Sequence, residues 1–263
     1  MNLISQVYYA DRVYQLPLGV IGIAVGTALL PMLTRQIRSG NEGPANETLN
    51  RAVELSMLFT LPAAAALMMI AEPIIRVLFE HGAFSPAATK TTTEALIAFS
   101  SGLPAYVLTK VYAPGFFARE DTTTPVIIGI IAMIINIALS LFWLDTLAHM
   151  GIALATSVAA WANASILFIL LLRKGQHSPD RRLFIRLVGM LLASAAMSAV
   201  LYFVQPYLDP MLMSDLLITR VLGLGLLIAA GGATYGMAAL LFGAAKLSDL
   251  KSMLRRRTPE KQT

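Results

Sequence analysis

The chain of 263 residues is 57% hydrophobic and 13% charged, with a mean hydropathy of +0.69. Soluble domains carry charge on roughly a quarter of their residues, so this composition excludes a soluble globular protein and indicates one that lies in lipid. The net charge of +5 is divided among segments between apolar runs, which excludes the continuous basic surface of a nucleic-acid-binding protein, and without cysteine the chain has no disulfides or thiolate metal sites.

Seven stretches are apolar and close to the length of roughly 20 residues that a helix needs to cross a bilayer. In chain order, spans A to G cover residues 13–34, 55–71, 95–118, 122–144, 150–172, 187–208 and 221–245. Among them, only span C contains a charged residue, Lys110. The predicted fold class is therefore an all-α integral membrane bundle of about seven transmembrane helices.

The distribution of Lys and Arg predicts the orientation of these spans. The loops after spans A, C and E and the C-terminal tail hold fifteen basic residues, whereas the opposite side holds four. This bias places the C-terminus in the cytoplasm and the N-terminus outside. An external N-terminus without a signal sequence leads us to expect further helices before Met1, and we interpret Tyr8 to Arg12 as a loop that leads into span A.

The outer end of span A carries the charged pair Asp11 and Arg12 directly after two tyrosines. Tyrosines and charges of this kind commonly anchor a helix at the headgroup level. Alternatively, an ion-paired arginine contacts a phosphate, for which its planar guanidinium is suited. Spacing alone leaves both interpretations open.

Polar side chains inside the spans are the other candidates. Lys110 lies about two turns from the cytoplasmic end of span C, where it faces a cavity or reaches the interface with its long side chain. Asn136 and Ser140 share a face of span D because they are four residues apart, and Thr156 adds a polar group on span E. These three residues predict hydrogen bonds between helices, with contact to a cation or a headgroup as the alternative.

Two further patterns concern local structure. Gly19, Gly22 and Gly26 lie near one face of span A, which predicts close helix packing, while bending during transport is the alternative. The aromatic segment 78–85 predicts a short interfacial helix or re-entrant piece, and Thr122 or Thr123 is expected to cap span D. No nucleophile or phosphate-loop motif is present, and His81 has no partner at metal-ligand spacing.

Three segments together resemble a known family. They are YYADR at 8–12 with LPLGVIG at 16–22 and LP at 30–31; LFEHGAF at 78–84; and KVYAPGFFAR at 110–119 with Asp121 and TP at 124–125. In order and spacing they are similar to the MurJ (MviN) family of lipid II flippases, within the multidrug/oligosaccharidyl-lipid/polysaccharide exporter superfamily. The resemblance extends over essentially the whole chain and is weaker after Arg173.

The resemblance implies a fourteen-helix, two-lobed transporter, of which this chain is similar to helices 8 to 14. Residues 1–178 then correspond to second-lobe helices, 179–245 to a C-terminal helix pair with a groove suited to a polyprenyl tail, and 246–263 to a basic cytoplasmic tail. The implied function is movement of lipid II, an undecaprenyl-diphosphate-linked disaccharide-pentapeptide, across the bacterial inner membrane by alternating access.

The resemblance also implies roles for residues. Arg12 matches a cavity arginine of the family and Asp11 its neighbour, so both are expected at the diphosphate. Lys110, Asn136, Ser140 and Thr156 complete the candidate substrate-binding set; no catalytic residue, metal site or cofactor is expected. The last three supply no carboxylate, which puts sodium coupling in doubt.

Two alternatives stay open because the first lobe of the family is missing from this sequence. One is a related exporter of another polysaccharide carrier or of a drug. The other is an inactive or scaffolding membrane fragment. The expected partners are lipid II, membrane lipid and the missing N-terminal half.

Overall fold

The computed structural model describes residues 3–82 and 84–244 and places most of them in helices. The helices are α1 Leu3–Arg38, α2 Glu42–Met69, α3 Ala71–Phe79, α4 Pro86–Phe117, α5 Thr123–Arg173, α6 Arg181–Leu212 and α7 Leu217–Leu241. In the described part of the chain, seven helical segments are long and apolar enough to span a membrane, which confirms the predicted fold class and number of spans. The predicted tail, 246–263, lies outside the described residues, as do Ala83 and Ala245.

The helix α5 supplies two spans, because its limbs Thr123–Leu144 and Met150–Arg173 fold back on each other. Asn136 Nδ2 donates a hydrogen bond to Thr156 Oγ1 at 3.0 Å, whereas a straight helix would separate these residues by about 30 Å. Gly151 permits the reversal, since an added Cβ would lie 2.8 Å from Trp143 Cβ. The short helix α3 does not span. It contains only residues 78 and 79 of the aromatic segment 78–85, so the short helix of this region lies mostly before the segment for which it was predicted.

Four helices begin well before the apolar stretches that predicted them. They are α1, α2, α4 and α6, which start at Leu3, Glu42, Pro86 and Arg181. A charged residue marks where the lipid ends, whereas the helix continues beyond it in water or against protein. The interpretation of Tyr8 to Arg12 as a loop is therefore wrong: these residues belong to α1, and Ala10 among them is fully buried.

The central helix of the bundle is α4, which packs against α1, α2, α3 and α5. Small residues recur on it at intervals of three or four, and they are all buried: Ala95, Ala98, Gly102 and Ala105. Small side chains let membrane helices approach closely, where dispersion replaces the hydrophobic effect as the attraction. The last two helices, α6 and α7, pack on each other and along α2.

The helices α4 and α5 approach each other closely at Gly102. An added Cβ there would lie 2.6 Å from Ser157 Oγ and 2.8 Å from its Cα. The same Ser157 hydroxyl donates a hydrogen bond to the carbonyl of Ala98 at 2.6 Å, so it cannot move aside without losing that bond. Gly102 and Ser157 therefore fix the spacing between these two helices.

The predicted packing face of α1 is wrong within this chain. An added Cβ at Gly19 would meet no atom within 4 Å. At Gly22 it would meet the side chain of Lys110 and not a neighbouring backbone. Gly19 and Gly22 therefore give room to open space and to a side chain, whereas Gly26 lies outside the residues whose surroundings the structure describes. The tight glycine contact between helices is made by α4.

We predict that Gly102→Ala destabilises the bundle, because the new methyl group overlaps Ser157 in a contact that cannot relax. Overpacking of this kind costs about 1–3 kcal/mol. Gly129→Ala is the matched control, since an added Cβ on that helical glycine meets nothing within 4 Å. Thermal unfolding in detergent, followed by circular dichroism, should show a lower midpoint for the first variant alone. Equal midpoints would contradict the assignment of Gly102 as a close contact that cannot relax.

Candidate substrate-binding face

One face of α1 is exposed and carries the predicted arginine. Tyr8, Arg12, Leu16 and Val20 follow at intervals of four residues and are all exposed. The guanidinium carbon of Arg12 lies 4.6 Å from the centroid of the Tyr8 ring. A cation over an aromatic face is held by the ring quadrupole, so Arg12 has a preferred position while it stays accessible.

The neighbouring residues of α1 point to the interior of the bundle. Asp11 is half-buried and accepts a hydrogen bond from Gln15, one turn further on. Tyr14 is buried, and its ring stacks on Phe99 of α4 at a centroid distance of 5.2 Å. The Tyr14 ring also lies 5.9 Å from the ring of Tyr106. The exposed face of α1 is thereby held in register with α4.

A chain of hydrogen bonds continues from α4 into both limbs of α5. The Tyr106 hydroxyl donates to the backbone carbonyl of Thr156 at 3.2 Å. Thr156 Oγ1 accepts from Asn136 at 3.0 Å, and the hydroxyl of Ser140 donates to Asn136 Oδ1 at 3.5 Å. The predicted hydrogen bonding between spans D and E is therefore present, whereas a role of these residues in substrate binding stays a prediction.

Lys110 lies against α1, but at a different position along the helix from Arg12. Its Cδ and Nζ come within 2.7 and 2.8 Å of the position of an added Cβ on Gly22, so the side chain rests in the space that this glycine leaves. Gly22 follows Arg12 by ten residues, or about 15 Å along the helix. Lys110 is exposed, and the two cations thus mark separate positions along α1.

The predicted residues therefore form two sets. Arg12 and Lys110 are exposed cations, whereas Asp11, Asn136, Ser140 and Thr156 are half-buried and bonded to neighbours. Sequence reasoning missed Tyr106, which connects α1 to the second set because it contacts both Tyr14 and Thr156. A tyrosine within an apolar run needs a partner for its hydroxyl, and this is the signal that would have singled it out.

Two of the family-like segments meet at the end of the bundle where α1 begins. Tyr9 packs against Phe79 and Phe84 of the aromatic segment, with centroid distances of 4.9 and 5.8 Å. Glu80 accepts a hydrogen bond from Thr89 of α4 at 2.5 Å, and its carbonyl accepts one from Arg220 of α7 at 3.3 Å. The segment therefore joins α1, α3, α4 and α7 and supports the exposed face.

The third segment lies at the opposite end, here called the basic end, where the α1–α2, α4–α5 and α5–α6 connections meet. Arg119 pairs with Glu42, and Lys174 Nζ lies 2.8 Å from Asp121 Oδ2. Asp121 also accepts the amide of Thr124 at 3.0 Å, so it caps α5 in place of the predicted Thr122 or Thr123. Hydrogen bonds from Lys174 and Thr124 lower the pKa of this half-buried carboxylate to about 2.

His177 is buried beneath the same connections. Its Nδ1 lies 3.2 Å from Asn46 Oδ1, and the rings of Tyr112 and Phe168 pack around it. Ser178, the next residue, donates its amide to Asn46 Oδ1 at 2.7 Å. Burial lowers the pKa of His177 to about 4, although the charge of Asp180 opposes the shift.

An apolar groove runs between α2, α6 and α7, as predicted for the C-terminal helix pair. Its volume is about 860 Å³, and its lining is mostly aliphatic and glycine residues. Four charged residues line one end of the groove: Arg51, Glu54, Arg182 and Arg186. A polyprenyl chain as its occupant stays a prediction.

Taken together, seven spans, an open cation-bearing face and an apolar groove define a multi-pass membrane protein with the architecture of a transporter lobe. A family model described as Lipid II flippase MurJ matches residues 1–223. The match covers most of the chain, and the chain therefore belongs to the MurJ lipid II flippase family. The resemblance inferred from the three segments is confirmed.

Individual relatives agree with the family match. The chain is 46% identical over 254 residues to a probable lipid II flippase MurJ of Rhizobium meliloti, covering 96% of this chain and 48% of the relative. It is 43% identical over 257 residues to that of Rhizobium tropici, covering 97% of this chain and 48% of the relative. A solved structure described as lipid II flippase MurJ, inward closed conformation, matches with a TM-score of 0.74 and 28% identity over 91% of this chain and 47% of that one. The chain thus spans about half the length of the relatives it matches.

We predict that His177 makes the stability of the chain depend on pH between 6.5 and about 4. In this window the unfolded histidine binds a proton and the buried one does not, so stability is full above pH 6.5 and falls as the pH is lowered. The separation of the two pKa values corresponds to a loss of about 3 kcal/mol at the acid end. Unfolding midpoints at pH 7 and 4.5 should differ less for His177→Gln than for the unsubstituted chain. Asp121 titrates below this window, and equal pH dependence in both proteins would contradict the prediction.

Proposed function

We propose that this chain forms one lobe of a lipid II flippase, which translocates the undecaprenyl-diphosphate-linked peptidoglycan precursor across the bacterial inner membrane by alternating access. Membership of the family and the names of the relatives support this substrate class. The excess of basic residues on one side supports a cytoplasmic C-terminus and a periplasmic N-terminus. A second lobe, corresponding to the half of the relatives that this chain does not match, closes the cavity.

The observation that carries the proposal is the exposed Arg12 within a face of apolar side chains on α1. Such a cation is costly at a membrane helix unless water, protein or an anion meets it. A diphosphate is a suitable anion, because the guanidinium donates paired hydrogen bonds to phosphate oxygens. Tyr8 holds the guanidinium of Arg12 in place before a ligand binds. Binding therefore removes less conformational entropy from the Arg12 side chain.

The hydrogen-bond chain behind this face supports a transport cycle in which the lobe moves as one body. Tyr106 and Thr156 join α4 to one limb of α5, and Asn136 joins the other limb. Tyr14 adds α1 through its contact with Phe99. Rocking of rigid repeats around a fixed site is a common mode of alternating access. A displacement of α1 on headgroup binding is expected to carry α5 with it.

We predict that Arg12→Ala abolishes transport, because the diphosphate loses its guanidinium partner. The test uses a chimera that carries the first half of the Rhizobium meliloti relative before this chain, expressed in cells depleted of their own lipid II flippase. Growth should be rescued by the chimera, poorly by its Arg12→Lys form, and not by its Arg12→Ala form. Arg38→Ala is the matched control, since it removes the same charge from an exposed ion pair on the same helix.

Three results would contradict the proposal. Full rescue by Arg12→Ala at equal membrane abundance would remove Arg12 from the mechanism. Failure of the unsubstituted chimera to restore growth, despite normal insertion, would favour a related exporter or a scaffold. Rescue by this chain without any added half would contradict the need for a second lobe.

A further inference from the structure

Lys110 of α4 is an exposed cation whose place in the fold is not explained by contact with a diphosphate at Arg12. Within the part of the chain that the structure describes, its ammonium makes no ion pair or hydrogen bond. The end of the side chain rests instead on Gly22 of α1, where an added Cβ would lie 2.7 Å from Lys110 Cδ and 2.8 Å from its Nζ. Gly22 therefore provides a cradle for the lysine, here called the Gly22 cradle.

The Gly22 cradle lies near the middle of the apolar stretch of α1. The charge-free residues are 13–34, so Gly22 lies about 14 Å from one end of the stretch and about 18 Å from the other. A lysine that snorkels directs its ammonium to the nearer interface, whereas Lys110 crosses from α4 to α1 near mid-depth. Hydrocarbon does not solvate a charge at this depth, so a water-filled cavity or an anion must meet it.

The two exposed cations are too far apart to share one diphosphate. Gly22 lies about 15 Å from Arg12 along α1, and about a quarter of a turn around the helix from it. A diphosphate is two phosphate groups joined by one oxygen, and it is much shorter than this separation. An anion at Lys110 therefore belongs to another part of the substrate or to another molecule.

The pentapeptide of the proposed substrate supplies an anion at a suitable distance. A peptide with a free end carries a carboxylate there, and five extended residues span at most about 18 Å. The peptide is attached through the disaccharide, so its carboxylate reaches the Gly22 cradle while the diphosphate stays at Arg12. The two side chains also suit these anions. A guanidinium matches phosphate oxygens in pairs, whereas an ammonium is a compact charge on a flexible stem that can follow a mobile carboxylate.

We propose that Lys110 binds a carboxylate of the substrate peptide while Arg12 holds the diphosphate, and that Gly22 positions the lysine for this contact. This role rests on the flippase function proposed above and adds a determinant of specificity to it. The transporter thereby distinguishes a precursor with an acidic peptide from the bare carrier lipid. Without the peptide, Arg12 keeps its anion and Lys110 has none.

The test measures the binding of three lipids to the purified chimera described above, by native mass spectrometry from neutral detergent. The lipids are lipid II, lipid II with its peptide carboxylates converted to amides, and undecaprenyl diphosphate. The unsubstituted chimera should bind lipid II more tightly than the amidated form. Lys110→Gln should weaken the binding of lipid II alone by about fivefold, the upper value for one ion pair that is open to water. Lys90→Gln is the matched control, because it removes the same charge from an exposed position near the other end of α4.

A second pair of variants tests the Gly22 cradle without removing the charge. Gly22→Ala adds a methyl group that overlaps the end of the Lys110 side chain, so the ammonium must move while both helix backbones stay in place. This variant should weaken the binding of lipid II selectively, with an unchanged unfolding midpoint. Gly19→Ala is its control, since an added Cβ there meets no atom of this chain within 4 Å.

Four results would overturn the proposal. The first is equal binding of lipid II and its amidated form by the unsubstituted chimera. The second is equal weakening of lipid II and undecaprenyl diphosphate by Lys110→Gln, which would assign Lys110 to the diphosphate. The third is a lower unfolding midpoint for Lys110→Gln with the preference for carboxylates retained, which would assign Lys110 to a contact with the other half. The fourth is an equal effect of Lys110→Gln and Lys90→Gln.

Arg12→Ala separates this proposal from the function on which it rests. It should weaken the binding of all three lipids, because each carries the diphosphate. If it weakens none of them, the role proposed for Arg12 fails, whereas the preference for carboxylates still decides the role of Lys110.

Discussion

A polar side chain inside a bilayer needs a partner in the protein, because hydrocarbon offers it none. This constraint accounts for the pairing of Asn136 with Thr156, which holds the two limbs of α5 side by side. It also accounts for Tyr106, whose hydroxyl reaches the carbonyl of Thr156 from the central helix. Asn136, Thr156 and Tyr106 are thus points at which the helices are joined.

The same constraint separates structural charges from candidate functional ones. Glu54 and Arg186 satisfy each other in the interior, and removing one partner of such a pair leaves a buried charge that costs about 3–5 kcal/mol. Arg12 and Lys110 differ, because they are exposed and touch an aromatic ring and a glycine. A charge that the fold does not bury is available to a ligand, and this distinguishes Arg12 and Lys110 from the buried Glu54 and Arg186.

Much of the fold was predictable from sequence, because an apolar stretch long enough to cross a bilayer marks each of the seven spans. The ends of the helices were not predictable. A charge such as Glu54 ends the apolar stretch, whereas α2 begins about three turns before that residue. The cap on α5 was assigned to a threonine, but Asp121 has the stronger acceptor and takes the amide of Thr124. Within the candidate site, Arg12 was predicted from a family-like segment. The partner of Tyr106 was not predictable, because the carbonyl of Thr156 lies 50 residues away and no local pattern encodes that contact.

The exposed α1 face and the α2–α6–α7 groove lie on different helices of the bundle. The central helix α4 packs against both α1 and α2 and supports them. Gly102 sets the distance from α4 to α5, while the ion pair of Glu54 and Arg186 sets that from α2 to α6. A lobe built on two such fixed distances can move without changing either site. In the transport cycle that we propose, the α1 face can therefore change its exposure while the groove keeps its shape.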